Sequence, residues 1–203
     1  MQDTYRIGNA QTIGYRQFQS SYFSTWTDGH CTAAAVLAHG TIDHINGRRC
    51  AVLAAETCMR EFHRLPENEE LPVFFERTAA EIQRLMREYL YLGKQPYLSL
   101  GIQVIREREL FYYHVGSGRM FLYNGTEIQF LTKRSGKEAF AKGMTAGLMT
   151  KGIWEALHEK DMEFYLNLHA HPYEKAQRML SGVIEKNRKE AGNAAVVLIE
   201  GWL

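Results

Sequence analysis

His39, Asp43 and His44 are the residues whose types and spacing first suggest chemistry. An apolar run of strand length, Ala33 to Ala38, ends abruptly at His39-Gly40. A short polar loop follows. Apolar residues then recur at helical spacing: Cys50, Leu53, Ala54, Thr57, Cys58 and Phe62. Strand, tight glycine turn and helix place polar side chains at the carboxyl end of a buried strand, where a rigid backbone holds them in fixed geometry. Imidazole plus carboxylate suits Zn²⁺ or a similar ion. Asp43 and His44 are adjacent on a loop, however, and no fourth ligand stands near them. The plainer reading is a surface loop with a solvated acid and two ordinary histidines.

Other candidates carry less. His169-Ala170-His171 precedes Pro172 and a helix start, so a solvated loop or a capping role is expected there. Ser20, Ser21 or Ser117 beside His39 would have the types of a nucleophile and its base, but no G-x-S-x-G elbow is present. Cys31, Cys50 and Cys58 form no C-x-x-C pair and read as reduced, buried small residues.

The bulk numbers narrow the classes. Lys and Arg total 24 against 23 Asp and Glu, a net charge of +1, which gives no reason to expect nucleic acid as a partner. Residues 1–6 hold no apolar run, so no signal peptide is expected. No stretch reaches the length of a membrane span, and a cytoplasmic protein with no membrane partner is expected. With 203 residues, 45% of them hydrophobic, a single domain over residues 1–203 is expected.

Positioning elements follow from periodicity. Tyr5–Gly8 and Tyr22–Trp26 read as strands, with Thr27-Asp28-Gly29 turning the chain back into Cys31–Ala38. Two helices follow, from about Gly47 to Leu65 and from Leu71-Pro72 to about Tyr91, the second with a stripe of Phe75, Ala79, Ile82, Met86 and Tyr89 and with Gly93 as its C-terminal stop. From Tyr97 to Leu131 the chain reads as an antiparallel meander, with Asn124-Gly125 as a type I′ hairpin turn. Residues 132–147 read as a loop, 151–160 as a short helix, 172–191 as a longer one, and Ala194–Ile199 as a strand. That order is an α+β layout.

Several of these fragments together resemble the 2C-type (PPM) metal-dependent Ser/Thr protein phosphatases, including their bacterial branch. Gly14-Tyr15-Arg16 through Ser20-Ser21 resembles the family's opening segment. His39-Gly40, His44 and Gly47 fall on its Asp-Gly turn and following helix. His114-Val115-Gly116-Ser117-Gly118-Arg119 resembles its Gly-Asp-Ser-Arg turn, Thr150-Lys151-Gly152 its second Asp-Gly, and Gly192-Asn193 its closing Asp-Asn. The resemblance implies a four-layer αββα sandwich of two antiparallel sheets flanked by helices. Residues 132–149 are too short to hold the family's flap subdomain. An N-terminal nucleophile, the other chemistry known on such a sandwich, finds no Thr, Ser or Cys in Met1-Gln2.

The departures from the family pattern point to lost catalysis. The resemblance implies two divalent metals held by acidic side chains that activate a water. Every matching acidic position has changed: Ser20, Ser21, His39, Ser117, Lys151 and Gly192 stand in their places, with Gly40 keeping only the turn. Hard cations need carboxylate oxygens. An ammonium about 4 Å from a 2+ ion, at an effective dielectric of about 20, is repelled by on the order of 8 kcal/mol. The expected protein is therefore a degenerate, pseudophosphatase-like signalling or regulatory module with no metal cofactor. Its implied partners are a phosphorylated protein or a Ser/Thr kinase, in a monomer or an oligomer. Arg16, at the family's phosphate-contacting position, would form an anion site with Lys151 and His39. The alternative is an active phosphate monoester hydrolase using Mn or Mg at an atypical site, with His39, Asp43 and His44 as ligands. The plainer reading pairs Arg16 and Lys151 with nearby acids, such as Glu155, and leaves an inert, filled core.

Overall fold

An alanine-rich strand is the centre of the molecule. Thr32–Gly40 (β3) alternates Ala33, Ala35 and Leu37 toward one face and Ala34, Val36 and Ala38 toward the other, and both sets are buried. Alanine has weak strand propensity, but burial on both faces overrides it. The small side chains also let the helix Ile45–His63 (α1) lie close, through Cys50, Ala51, Ala54 and Ala55. The computed structural model describes residues 4–40, 45–66, 69–89, 98–186 and 192–202.

The remaining elements, in chain order, are Thr4–Thr12 (β1), Ser21–Thr27 (β2), Leu71–Tyr89 (α2), Leu98–Arg106 (β4), Glu109–Val115 (β5), Arg119–Tyr123 (β6), Ile128–Phe130 (β7), Ser135–Ala139 (β8), Thr145–Met149 (β9), Lys151–Trp154 (α3), Glu159–Leu166 (α4), Pro172–Lys186 (α5) and Ala194–Trp202 (β10). They form two antiparallel five-stranded sheets, ordered β1-β10-β9-β6-β7 and β2-β3-β4-β5-β8. A core containing Leu37, Ile105, Met120, Leu148 and Val197 lies between the sheets. α1 and α2 cover the outer face of the second sheet, and α3, α4 and α5 that of the first. This is the expected αββα sandwich. Residues 132–149 hold only β8, a turn and β9. Among the described residues no helix is long and apolar enough to cross a membrane.

Four expectations are corrected. The stretch 98–131 is not one meander: β4 and β5 belong to the second sheet, β6 and β7 to the first. Residues 132–147 are not a loop, since they contain β8 and the start of β9. β8 is an edge strand of polar residues, and β9 begins with the small residues Thr145, Ala146 and Gly147, the last under the Phe121 ring, and is buried throughout, so neither carries an apolar alternation. Cys31 is exposed in the β2–β3 turn, while Cys50 and Cys58 are buried and burial pushes the Cys58 thiol up to about 12. Lastly, the Asn124-Gly125 turn is a four-residue loop between Tyr123 and Ile128, in which the Asn124 side chain accepts from the backbone N–H groups of Thr126 and Glu127. The expected end of α2 at Tyr91, its expected stop at Gly93, and residues 187–191 of the expected last helix lie outside the described residues.

A two-residue turn of the primed kind occurs instead at Glu107-Arg108, between the paired residues Arg106 and Glu109. Its φ angles are 51° and 65°, a region that costs L-residues roughly 1–2 kcal/mol each. Replacing the pair with Asn-Gly is expected to raise stability by about 1 kcal/mol, read as a Tm increase of about 2–4 °C. An unchanged or lowered Tm would show that the Glu-Arg pair bears no strain.

Candidate functional site

The end of the sandwich where β2 begins and β3 ends gathers most of the residues singled out in sequence. Ser21 and His39 are directly paired across the two strands, and Ser21 Oγ lies 3.0 Å from His39 Nδ1. Ser21 is wholly buried, which closes it to an incoming substrate. The Gly40 N–H donates to the Ser20 carbonyl at 2.9 Å. The Ser20 N–H donates to Asn193 Oδ1 at 2.8 Å, and Asn193 Nδ2 donates to the Phe18 carbonyl at 2.8 Å. The start of β10 is thereby tied to the segment that carries Arg16. From α1, Arg48 donates to the Ser21 carbonyl and stacks on the Tyr22 ring at 4.7 Å. The Tyr22 hydroxyl donates to Glu56 at 2.6 Å, which raises the Tyr22 pKa.

Two glycines set the backbone of this end. A Cβ at Gly40 would stand 2.2 Å from the Gly47 carbonyl oxygen and 2.5 Å from its Cα, so β3 and α1 meet backbone to backbone. Gly116 has φ of +90°, with Ser99 Cα 2.7 Å from where its Cβ would be. The tight turn that follows lets the Gly118 N–H donate to Ser99 Oγ at 2.8 Å. Ser117, exposed on this turn, accepts at its carbonyl from Trp154 Nε1 at 3.1 Å, and the Arg119 guanidinium covers the Trp154 ring at 3.9 Å.

His39 and His114 line one small cavity with Ser99, Gly118, Arg119 and Thr150. Its volume is about 10 Å³, room for about one water. Among the described residues His114 Nε2 has no hydrogen-bond partner. Burial lowers the pKa of both histidines below the ordinary 6.5, so both are neutral near pH 7. The native state then binds fewer protons than the unfolded state once pH falls below 6.5. Their contribution to stability is flat above pH 6.5 and declines below it, toward the depressed native-state values. Urea unfolding at about pH 8 and about pH 5 is expected to show a loss at low pH that shrinks in His39→Asn/His114→Asn. Equal losses in both proteins would remove the histidines as the cause.

Lys151 opens α3, and its Nζ lies 3.3 Å from Glu155 Oε1, both side chains about half exposed. This is the pairing expected under the plainer reading, a surface ion pair of low energy. At Gly192 a built Cβ would stand 3.7 Å from Arg16 Nε, so an arginine borders the position where the resemblance calls for a carboxylate. Asp43 and His44 lie outside the described residues. Among the described residues no three His, Cys, Asp or Glu side chains converge. Among the described residues the groups at the matched positions are an imidazole already hydrogen-bonded to a buried hydroxyl, a lysine and a glycine, and this set does not fit two hard cations. His171, from the second histidine pair, caps α5: its Nδ1 accepts from the Tyr173 N–H at 3.2 Å.

The structure thus brings Ser20, Ser21, His39, Gly40, Gly192 and Arg16 to one end, with Thr150 and Lys151 at the start of α3. Ser117 sits on the adjoining turn. Sequence reasoning missed Ser99, His114, Thr150 and Asn193 as functional-site residues. His114 and Asn193 stood inside fragments already singled out, but Ser99 had no signal of its own.

No family model matches the sequence, and no curated protein matches it. Solved structures do match. PppA, a key regulatory component of T6SS in Pseudomonas aeruginosa, superposes with a TM-score of 0.80 at 13% identity, over 98% of this chain and 100% of that one. The S. agalactiae serine/threonine phosphatase gives 0.78 at 16% identity, over 97% and 99%. The catalytic domain of the serine/threonine protein phosphatase PstP, in complex with two manganese ions, gives 0.78 at 13% identity, over 99% and 100%. At these identities the likeness establishes the fold, which is that of the 2C-type Ser/Thr phosphatases.

Proposed function

We propose that this chain is a catalytically silent module built on the 2C-type phosphatase fold, which binds phosphorylated protein or a Ser/Thr kinase through the former catalytic end. One observation carries this reading. Three side chains at the positions matched to the metal-binding acids are tied, Ser21 to His39 and Lys151 to the surface acid Glu155. The groups that would meet a phosphate are cationic. Arg16 is exposed beside Gly192, and Lys151 is half exposed on the first turn of α3. Guanidinium and ammonium donors hold a phosphate monoester through charge-assisted hydrogen bonds without a metal. His39 is the weaker third member, being neutral and already engaged.

Calorimetric titration of a phosphothreonine peptide and its unphosphorylated twin tests this. The phosphorylated peptide is expected to bind more tightly, and Arg16→Ala/Lys151→Ala to weaken it by about tenfold or more. Unchanged affinity in the double variant overturns the anion site. Turnover of p-nitrophenyl phosphate that requires Mn²⁺ and disappears in His39→Ala or Asp43→Ala would establish the active hydrolase instead.

A further inference from the structure

We propose a second ligand site, for a small carboxylate with an aromatic or aliphatic body, in the groove between the start of α2 and the outer face of the second sheet. The groove has a volume of about 630 Å³, within the range of small-molecule sites. Leu71, Pro72 and Phe75 form one wall, Phe111 the floor, and Arg106 and Lys137 the far side. Arg106 ends β4, seven residues from Ser99, so the groove lies about 23 Å along the strand from the Arg16 end.

The charges select the ligand. Glu69 reaches the groove but is held by Arg77 in two hydrogen bonds, Nε to Oε1 at 3.0 Å and Nη2 to Oε2 at 3.1 Å. Lys137 lies 5.7 Å from the Phe111 ring centroid, and its ammonium is paired with Glu109 at 2.8 Å. Glu70 is on the exposed rim, where water screens it. Arg106 is half-buried, and among the described residues its side chain makes no hydrogen bond or ion pair. Its cross-strand neighbour Glu109 is turned to Lys137 instead. A half-buried guanidinium without a counter-ion is incompletely solvated, and a carboxylate seated between it and the Phe75 and Phe111 rings supplies that counter-ion.

Chemical-shift mapping on the intact chain with 3-phenylpropionate and its primary amide is the test. The acid is expected to shift resonances of Arg106, Phe111 and Lys137 and to bind about tenfold more tightly than the amide. Arg106→Gln is expected to abolish that preference at an unchanged or higher Tm, since no internal partner is lost. Arg84→Gln, on the exposed face of α2, is expected to leave it intact. Absence of binding, equal binding of acid and amide, an unchanged preference in Arg106→Gln, or a Tm loss of several degrees in that variant overturns the assignment. None of these results bears on the phosphate site, which has its own residues and ligand.

Discussion

Replacing Lys175 by methionine is expected to cost about 3–5 kcal/mol, the range for breaking a buried ion pair. Lys175 projects from α5 onto the outer face of the first sheet, where its Nζ meets Glu200 Oε2 of β10 at 2.7 Å. The two side chains are only 7% and 9% exposed. Removing the ammonium leaves a buried carboxylate without its ion-pair partner, since the guanidinium of its cross-strand neighbour Arg6 is laid over the Trp202 ring. The same reasoning gives a second outcome. Lys175→Met/Glu200→Leu removes both charges and is expected to come within about 1 kcal/mol of the parent, or above it, because an apolar pair avoids desolvation altogether. Urea unfolding measures both. A loss below about 1 kcal/mol in the single variant would mean that water reaches Glu200 and that α5 does not seal the sheet.

Gly40→Ala is expected to cost about 3 kcal/mol or more, for a different reason. The added methyl would lie 2.2 Å from the Gly47 carbonyl oxygen, and the atoms it meets are backbone, which no rotamer change can move aside. β3 and α1 must part, and the partition reaches His39, whose hydrogen bond to Ser21 depends on the β2–β3 register. The expected signature is a lower Tm together with loss of any phosphopeptide affinity. Full stability in Gly40→Ala would show that the close approach is relaxed in solution.

The fold was readable from sequence where pattern and tertiary environment agree. α2 has one apolar face and one face bridged by Arg84 to Glu81 and Glu88, so its period declares it. β8 and β9 were invisible because one is a polar edge and the other a short strand that opens on three small residues and is buried throughout. The turn signals were exchanged as well. Asn124-Gly125 has the composition of a tight turn but uses its amide to cap a longer loop, while Glu107-Arg108 takes the tight turn without the composition. At the site, residue identities at matched positions located Ser21, His39 and Lys151. They could not reveal that Ser21 and His39 face each other, because that depends on a register fixed across two strands.

The position of β10 has a consequence for biosynthesis. Among the described residues β1 hydrogen-bonds within its sheet only to β10, which in turn pairs with β9. Residues 4–12 are translated before every other element of the two sheets, and their partner, residues 194–202, after all of them. While the intervening chain is made, β1 must wait without its strand neighbour, and the closure that joins them spans nearly the whole sequence. The second sheet has no such delay, since β2, β3, β4 and β5 pair with successive neighbours. On the ribosome that sheet and its covering helices can assemble first, and the Ser20–Asn193 hydrogen bond forms among the last contacts.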